Sequence, residues 1–147
     1  MRIPYLILAT CLIACGGASS GPVAPQLSSD QVVRAFMKAV ADSDLVRMGD
    51  LWGSSRGPAN VTHQPPGYER RLAIVQAYLR GSDSIRVISD MPVQGSSSER
   101  KVVIAYHRGG CMKQIPVVTV RSGPQWLVAS IDVSLAGTPI RPCEPGP

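Results

Sequence analysis

The feature that most constrains this fold is a change of apolar period near residue 84. Before it, apolar residues recur at helical spacing; after it, they alternate at a spacing of two. Helical segments followed by a run of strands define an α+β chain. The pattern predicts three N-terminal helices packed on a curved four-stranded antiparallel sheet, a cone-like roll.

Ser28, with Gln31 three residues on, forms a capping box, and Leu27 can staple to Val32. Val32, Val33, Phe36, Met37 and Val40 then share one stripe, while Arg34, Lys38 and Asp42 face water. A shorter helix is expected from Asp44, with Leu45, Met48, Leu51 and Trp52 on its apolar face, stopped by Gly53, Gly57 and Pro58. A loop through Asn60 and His63 and the stiff Pro65-Pro66 leads to a third helix from Tyr68. Leu72, Val75 and Leu79 mark its buried side, and Gly81 is its stop.

Four strands are expected at about 85–94, 99–108, 112–122 and 125–135, joined by Gly- and Ser-rich links short enough for an antiparallel meander. Pro92 and Pro116 each require an edge, a bulge or a strand end. Strict alternation in the last strand puts Leu127, Ala129, Ile131 and Val133 toward the helices. It puts Trp126, Val128, Ser130 and Asp132 on the outer face, and Ile115 and Val117 there with them. That outer face is more apolar than a wet surface requires, so pairing through it with a second copy or an envelope protein is expected.

The N-terminus has the layout of an export signal. Met1-Arg2 is a short positive start, residues 3–13 are mostly apolar, and the small Ala14 precedes the cut. As a helix, those apolar residues span about 16 Å, well short of a hydrocarbon core about 30 Å thick. Leu12-Ile13-Ala14-Cys15 resembles a bacterial lipobox. The resemblance implies cleavage after Ala14, lipid on the Cys15 thiol, and anchoring by two or three acyl chains. An incidental cysteine after an ordinary signal is the alternative. Gly16 in place of an aspartate resembles outer-membrane rather than inner-membrane sorting. Residues 15–27 then read as lipidated cysteine and flexible tether, with a reach of about 20 Å. Residues 28–143 form the single domain and 144–147 a tail.

Four cysteines fit this scheme. Cys11 leaves with the signal and Cys15 takes lipid, so Cys111 and Cys143 remain to pair in an oxidising compartment. Two free thiols, or a metal site completed by His107 and His63, are the alternatives. No metal and no cofactor is expected.

The formal charge is +5 with 17% charged residues, too small an imbalance to indicate nucleic-acid binding. Phosphate-loop, HExxH and CxxC patterns are absent, and Ser54-Ser55 and residues 96–98 lack a nucleophile-elbow context. Asn60-Val61-Thr62 has the form of a sequon, with little weight in a bacterial precursor. Arg70-Arg71 and Arg100-Lys101 read most simply as solvated, with headgroup contact as the other reading.

The run Phe36-Met37-Lys38-Ala39-Val40-Ala41-Asp42-Ser43-Asp44, continuing to Leu51-Trp52, resembles the opening helices of nuclear transport factor two-like (cystatin-like α+β) domains. That family's fold is a curved sheet around a long helix, a cone with a pocket at its open end. Members include lipoproteins, isomerases, cyclases and dehydratases, and many dimerise through the outer sheet face. By this resemblance Trp52, Tyr68, Tyr106 and His107 are pocket candidates, with Tyr78, Met91 and Trp126 as packing or lining residues. Enzymatic members use an Asp or a His–Asp pair inside the cone. Asp132 is expected outside it, and His63 and His107 are isolated, so no catalytic residue is assigned. The expected role is a membrane-tethered interaction or small-ligand-binding module of the cell envelope. The alternative is an isomerase- or dehydratase-type enzyme for an apolar substrate.

Overall fold

The computed structural model describes residues 25–26 and 28–144. The signal segment, Cys15, most of the tether, Leu27 of the expected staple and the last three residues lie outside the described residues. Helix α1 (Ser29–Ala41) begins at Ser28, whose hydroxyl accepts from the Gln31 N–H at 3.3 Å. Its expected stripe of Val32, Val33, Phe36, Met37 and Val40 is buried. Helix α2 (Leu45–Leu51) is capped by the Asp44 carboxylate, which accepts from Arg47 N–H at 2.9 Å. Met48 and Leu51 are buried as expected, but Leu45 is 44% exposed. A seven-residue helix presents too narrow a stripe to bury all of its apolar residues.

Residues 53–62, expected as a loop, contain structure. A two-residue pair of strands, β1 (Gly53–Ser54) and β2 (Gly57–Pro58), is followed by a single helical turn α3 (Ala59–Thr62). A Cβ on Gly53 would lie 2.3 Å from the Gly57 carbonyl, so only glycine lets these strands close. Helix α4 (Tyr68–Leu79) buries Tyr68, Leu72, Val75 and Leu79. Its chain turns away at Gly81, whose φ of 73° is the left-handed conformation anticipated for a helix stop. The described residues thus carry four helices rather than three.

Strands β3 (Ser84–Pro92), β4 (Glu99–Arg108), β5 (Cys111–Ser122) and β6 (Gln125–Ile131) form one antiparallel sheet in chain order. The last strand ends earlier than expected, in a 3-10 turn at Val133–Ala136. Pro92 closes β3, an edge strand. Pro116 sits where β6 runs out: its carbonyl accepts from Asp132 N–H at 3.3 Å, so its missing N–H costs the ladder little.

The register corrects the expected face assignment. Val102 pairs with Val117 and Ile104 with Ile115, and all four are fully buried in the core with α1, α2 and α4. On β6, Ser130 pairs with Val118 but Val128 pairs with Thr119, so Ala129 is an extra residue. This bulge cancels the alternation. Ile131 faces the helices, and so do Val128 and Trp126, while Leu127 turns to the other face. Ile115, Val117 and Val128, expected outside, are therefore inside. Leu127 stays buried because the chain at Gly53 covers it, a Cβ there lying 2.9 Å from its Cδ1. The residues expected to make an apolar docking face are largely in the core.

Each end of the sheet is fastened to the helices. At one end the carboxylate of Asp90 takes a short hydrogen bond from the Ser29 hydroxyl and an ion pair from Arg100 Nε at 2.6 Å. Arg100, expected to be solvated, is instead two-thirds buried in this pair. At the other end Arg108 is 6% exposed. Its guanidinium donates to the carbonyls of Tyr78 (2.6 Å) and Arg80 (3.3 Å), at the negative end of α4, and of Ala136 (2.9 Å). It also lies over the Tyr106 ring, 5.2 Å from the centroid. Close by, Cys111 and Cys143 sit at disulfide distance with their Cα atoms 5.4 Å apart, as the cysteine count anticipates. Lys113 Nζ donates to the Cys143 carbonyl at 3.0 Å and holds the returning tail. Among the described residues no helix is long and apolar enough to cross a membrane.

Candidate functional site

A cavity of about 490 Å³ opens where the chain leaves α2. Trp52 extends out of that helix in β conformation and makes a parallel bridge with Val128 at the free edge of β6. Its ring stays packed on Phe36, centroids 5.7 Å apart, so one side is fixed in the core while its edge reaches the cavity. Gly53, Pro65, Val120 and Ala129 supply further apolar wall. Ala129 is there because the bulge pushes it out of the ladder.

The polar lining comes from Ser54, Ser55 and Arg56 of the β1–β2 turn, Gln64 of the loop before α4, Arg71 on α4 and Glu99 at the start of β4. Among the described residues, neither the Arg56 nor the Arg71 guanidinium has an ion-pair or hydrogen-bond partner, and Glu99 lies within 4.0 Å of neither. Two unpaired cations and one unpaired carboxylate thus surround an apolar wall. A volume of this size suits a small organic molecule.

A second, smaller groove of about 240 Å³ lies between α2 and α4. Asn60 anchors it. The Asn60 amide donates to the Val46 carbonyl and to Asp50 Oδ1, both at 2.7 Å, and its oxygen accepts from the Tyr68 hydroxyl at 3.2 Å. The amide lies flat on Gly49, where a Cβ would come within 2.1 Å of Asn60 Oδ1. Burial of the Tyr68 hydroxyl, reinforced by the nearby Glu69 carboxylate, raises its pKa above the usual tyrosine range. These hydrogen bonds tie α3, which precedes the loop of Gln64 and Pro65, to α2 and α4.

The four pocket candidates do not come together. Trp52 lines the larger cavity and Tyr68 the smaller one. Tyr106 is 1% exposed and donates its hydroxyl to the Leu79 carbonyl at 3.0 Å, lining neither. His107, next along β4, points to the opposite sheet face by alternation and lines neither cavity. Asp132 is exposed and caps the following turn, accepting from Ser134 N–H and Oγ at 3.1 and 2.6 Å. His63 is exposed at the end of α3, its ring 6.5 Å from that of Tyr68. Tyr78 is half-buried and Met91 is 61% exposed. Arg56, Gln64, Glu99, Val120 and Ala129 escape sequence reading because they meet only through the β1–β2 turn and the bulge.

Set against known protein families, curated proteins and solved structures, the chain finds no match in any of the three.

Proposed function

We propose that this chain is a lipid-anchored domain of the bacterial cell envelope that binds a small molecule without transforming it. The carrying observation is the Trp52 cavity. Its lining joins an apolar wall to Arg56 and Arg71, whose guanidinium groups have no partner among the described residues, while His63, His107 and Asp132 stand apart from it. A general acid or base must reach its proton within hydrogen-bond distance, and those three residues line neither described cavity. The lipobox-like Leu12-Ile13-Ala14-Cys15 supports anchoring, and the pairing of Cys111 with Cys143 supports an oxidising compartment. The helices-then-meander order supports likeness to nuclear transport factor two-like domains, in which a pocket at the sheet's open end is the usual site.

Two measurements test this. Mass spectrometry of the membrane fraction is expected to find a mature chain beginning at acylated Cys15; an unmodified N-terminus further on overturns the anchoring. Binding of apolar probes is expected to change Trp52 emission, and the change is expected to vanish in Trp52→Phe. Turnover of any probe would favour the enzymatic reading instead.

A further inference from the structure

We infer that the Trp52 cavity takes an anionic amphiphile: an apolar body ending in a single carboxylate, with Arg56 and Arg71 receiving the charge. The inference rests on the small-molecule-binding reading and adds the class of ligand. Three observations carry it. First, Trp52, Pro65, Val120 and Ala129 give the cavity an apolar wall that suits an apolar occupant. Second, Arg56 and Arg71 both line the cavity, and among the described residues neither guanidinium has an ion-pair or hydrogen-bond partner. Guanidinium is the side chain that matches a carboxylate in a two-pronged geometry. Third, Glu99 on the same wall repels a second negative charge, which favours one carboxylate over a multiply charged head.

The route of the chain points to the source. Gln26 accepts from the Trp126 N–H at 2.8 Å. Gln26, on the side of the domain toward Cys15 in sequence, is thereby held at the end of the sheet where Glu99 pairs with Val120 and Val120 with Leu127. The cavity lies at that same end. A tether of about 20 Å would keep it within reach of the bilayer surface. An acyl chain of lipid origin thus fits better than a dissolved aromatic acid.

The test uses the full chain in phosphatidylcholine nanodiscs, with empty nanodiscs as blank. Octanoate, its neutral counterpart 1-octanol, and 1-naphthoate are titrated while Trp emission and heat are recorded. Octanoate is expected to bind about tenfold or more tightly than 1-octanol, the usual gain for a charge-assisted contact. Arg56→Gln with Arg71→Gln is expected to collapse that ratio to about threefold or less without changing 1-octanol binding. Arg34→Gln, away from the cavity, is expected to leave it intact. Equal binding of octanoate and 1-octanol overturns the charge assignment and leaves the binding module standing. Failure of all three probes to bind overturns both. Tighter binding of 1-naphthoate than octanoate overturns the acyl source.

Discussion

Replacing Arg108 with methionine weighs two opposed terms at the closed end of the sheet. The guanidinium is 6% exposed, has no carboxylate partner among the described residues, and leaves its Nε–H unpaired. Burying a cation in this way costs several kcal/mol, and one unmet donor about 1–3 kcal/mol. Against this stand hydrogen bonds to three carbonyls, two of them at 2.6 and 2.9 Å. Each is worth about 1.5–3 kcal/mol when the donor is charged. The Tyr106 ring adds about 1 kcal/mol. The deciding term is what methionine leaves behind. The Ala136 carbonyl and the last turn of α4 lose their donor, and the thioether supplies none. The expected net loss is about 2–4 kcal/mol, a fall in Tm on the order of 10 °C for a domain of this size. Arg108→Lys is expected to lose about half as much, because an ammonium cannot span carbonyls on both sides. Urea unfolding followed by Trp emission and far-ultraviolet circular dichroism measures both variants. A Met variant as stable as the parent would show that desolvation outweighs the three hydrogen bonds, and the clamp argument would fall.

Other outcomes follow from the same geometry. Serine at both Cys111 and Cys143 is expected to lower stability by about 3–4 kcal/mol, the loop-closure value for a separation of 32 residues; equal denaturation midpoints with and without reductant would contradict it. Gly49→Ala is expected to cost more than about 2 kcal/mol, because the Cβ displaces Asn60 from Asp50 and Tyr68. In an Asn60→Ala background the same glycine change is expected to cost less than about 1 kcal/mol; an undiminished cost would show that the collision with Asn60 is not the cause. In alkali, burial raises the pKa of Tyr106. The folded state therefore prefers neutral tyrosine, and its stability is unaltered below about pH 10, then falls as pH climbs from there through the raised value. Absorbance at the phenolate band, with Tyr106→Phe as the blank, should show Tyr106 ionising above the ordinary tyrosine range. At the acid end, hydrogen bonds from Ser28 and then Arg34 lower the Asp30 pKa. The stability this adds is present above the ordinary aspartate range and is lost as pH drops through the lowered value. With a carboxylate 39% exposed it amounts to a few tenths of a kcal/mol, so Asp30→Asn should flatten only a small part of the acid limb.

Local patterns were sufficient for the elements whose partners lie close in sequence. Ser28 as a cap, the α1 stripe, the start of α2 near Asp44, the Gly81 stop and the bounds of β4 all depend on neighbours within a few positions, and alternation or helical spacing encodes them directly. The α+β order and the pairing of Cys111 with Cys143 were legible for the same reason: period and cysteine count are properties of the string. What faces what was decided by the tertiary structure. One extra residue at Ala129 reverses every side chain before it on β6, and no local signal marks it, since Leu127 and Val128 are equally apolar. The cavity arises from that bulge and from Gly53 meeting Gly57, contacts that bring residues 52–56, 64–65, 71, 99, 120 and 129 to one place. The sequence could therefore specify which segments become helices and strands. The site exists only through long-range register, which no periodicity within a segment contains.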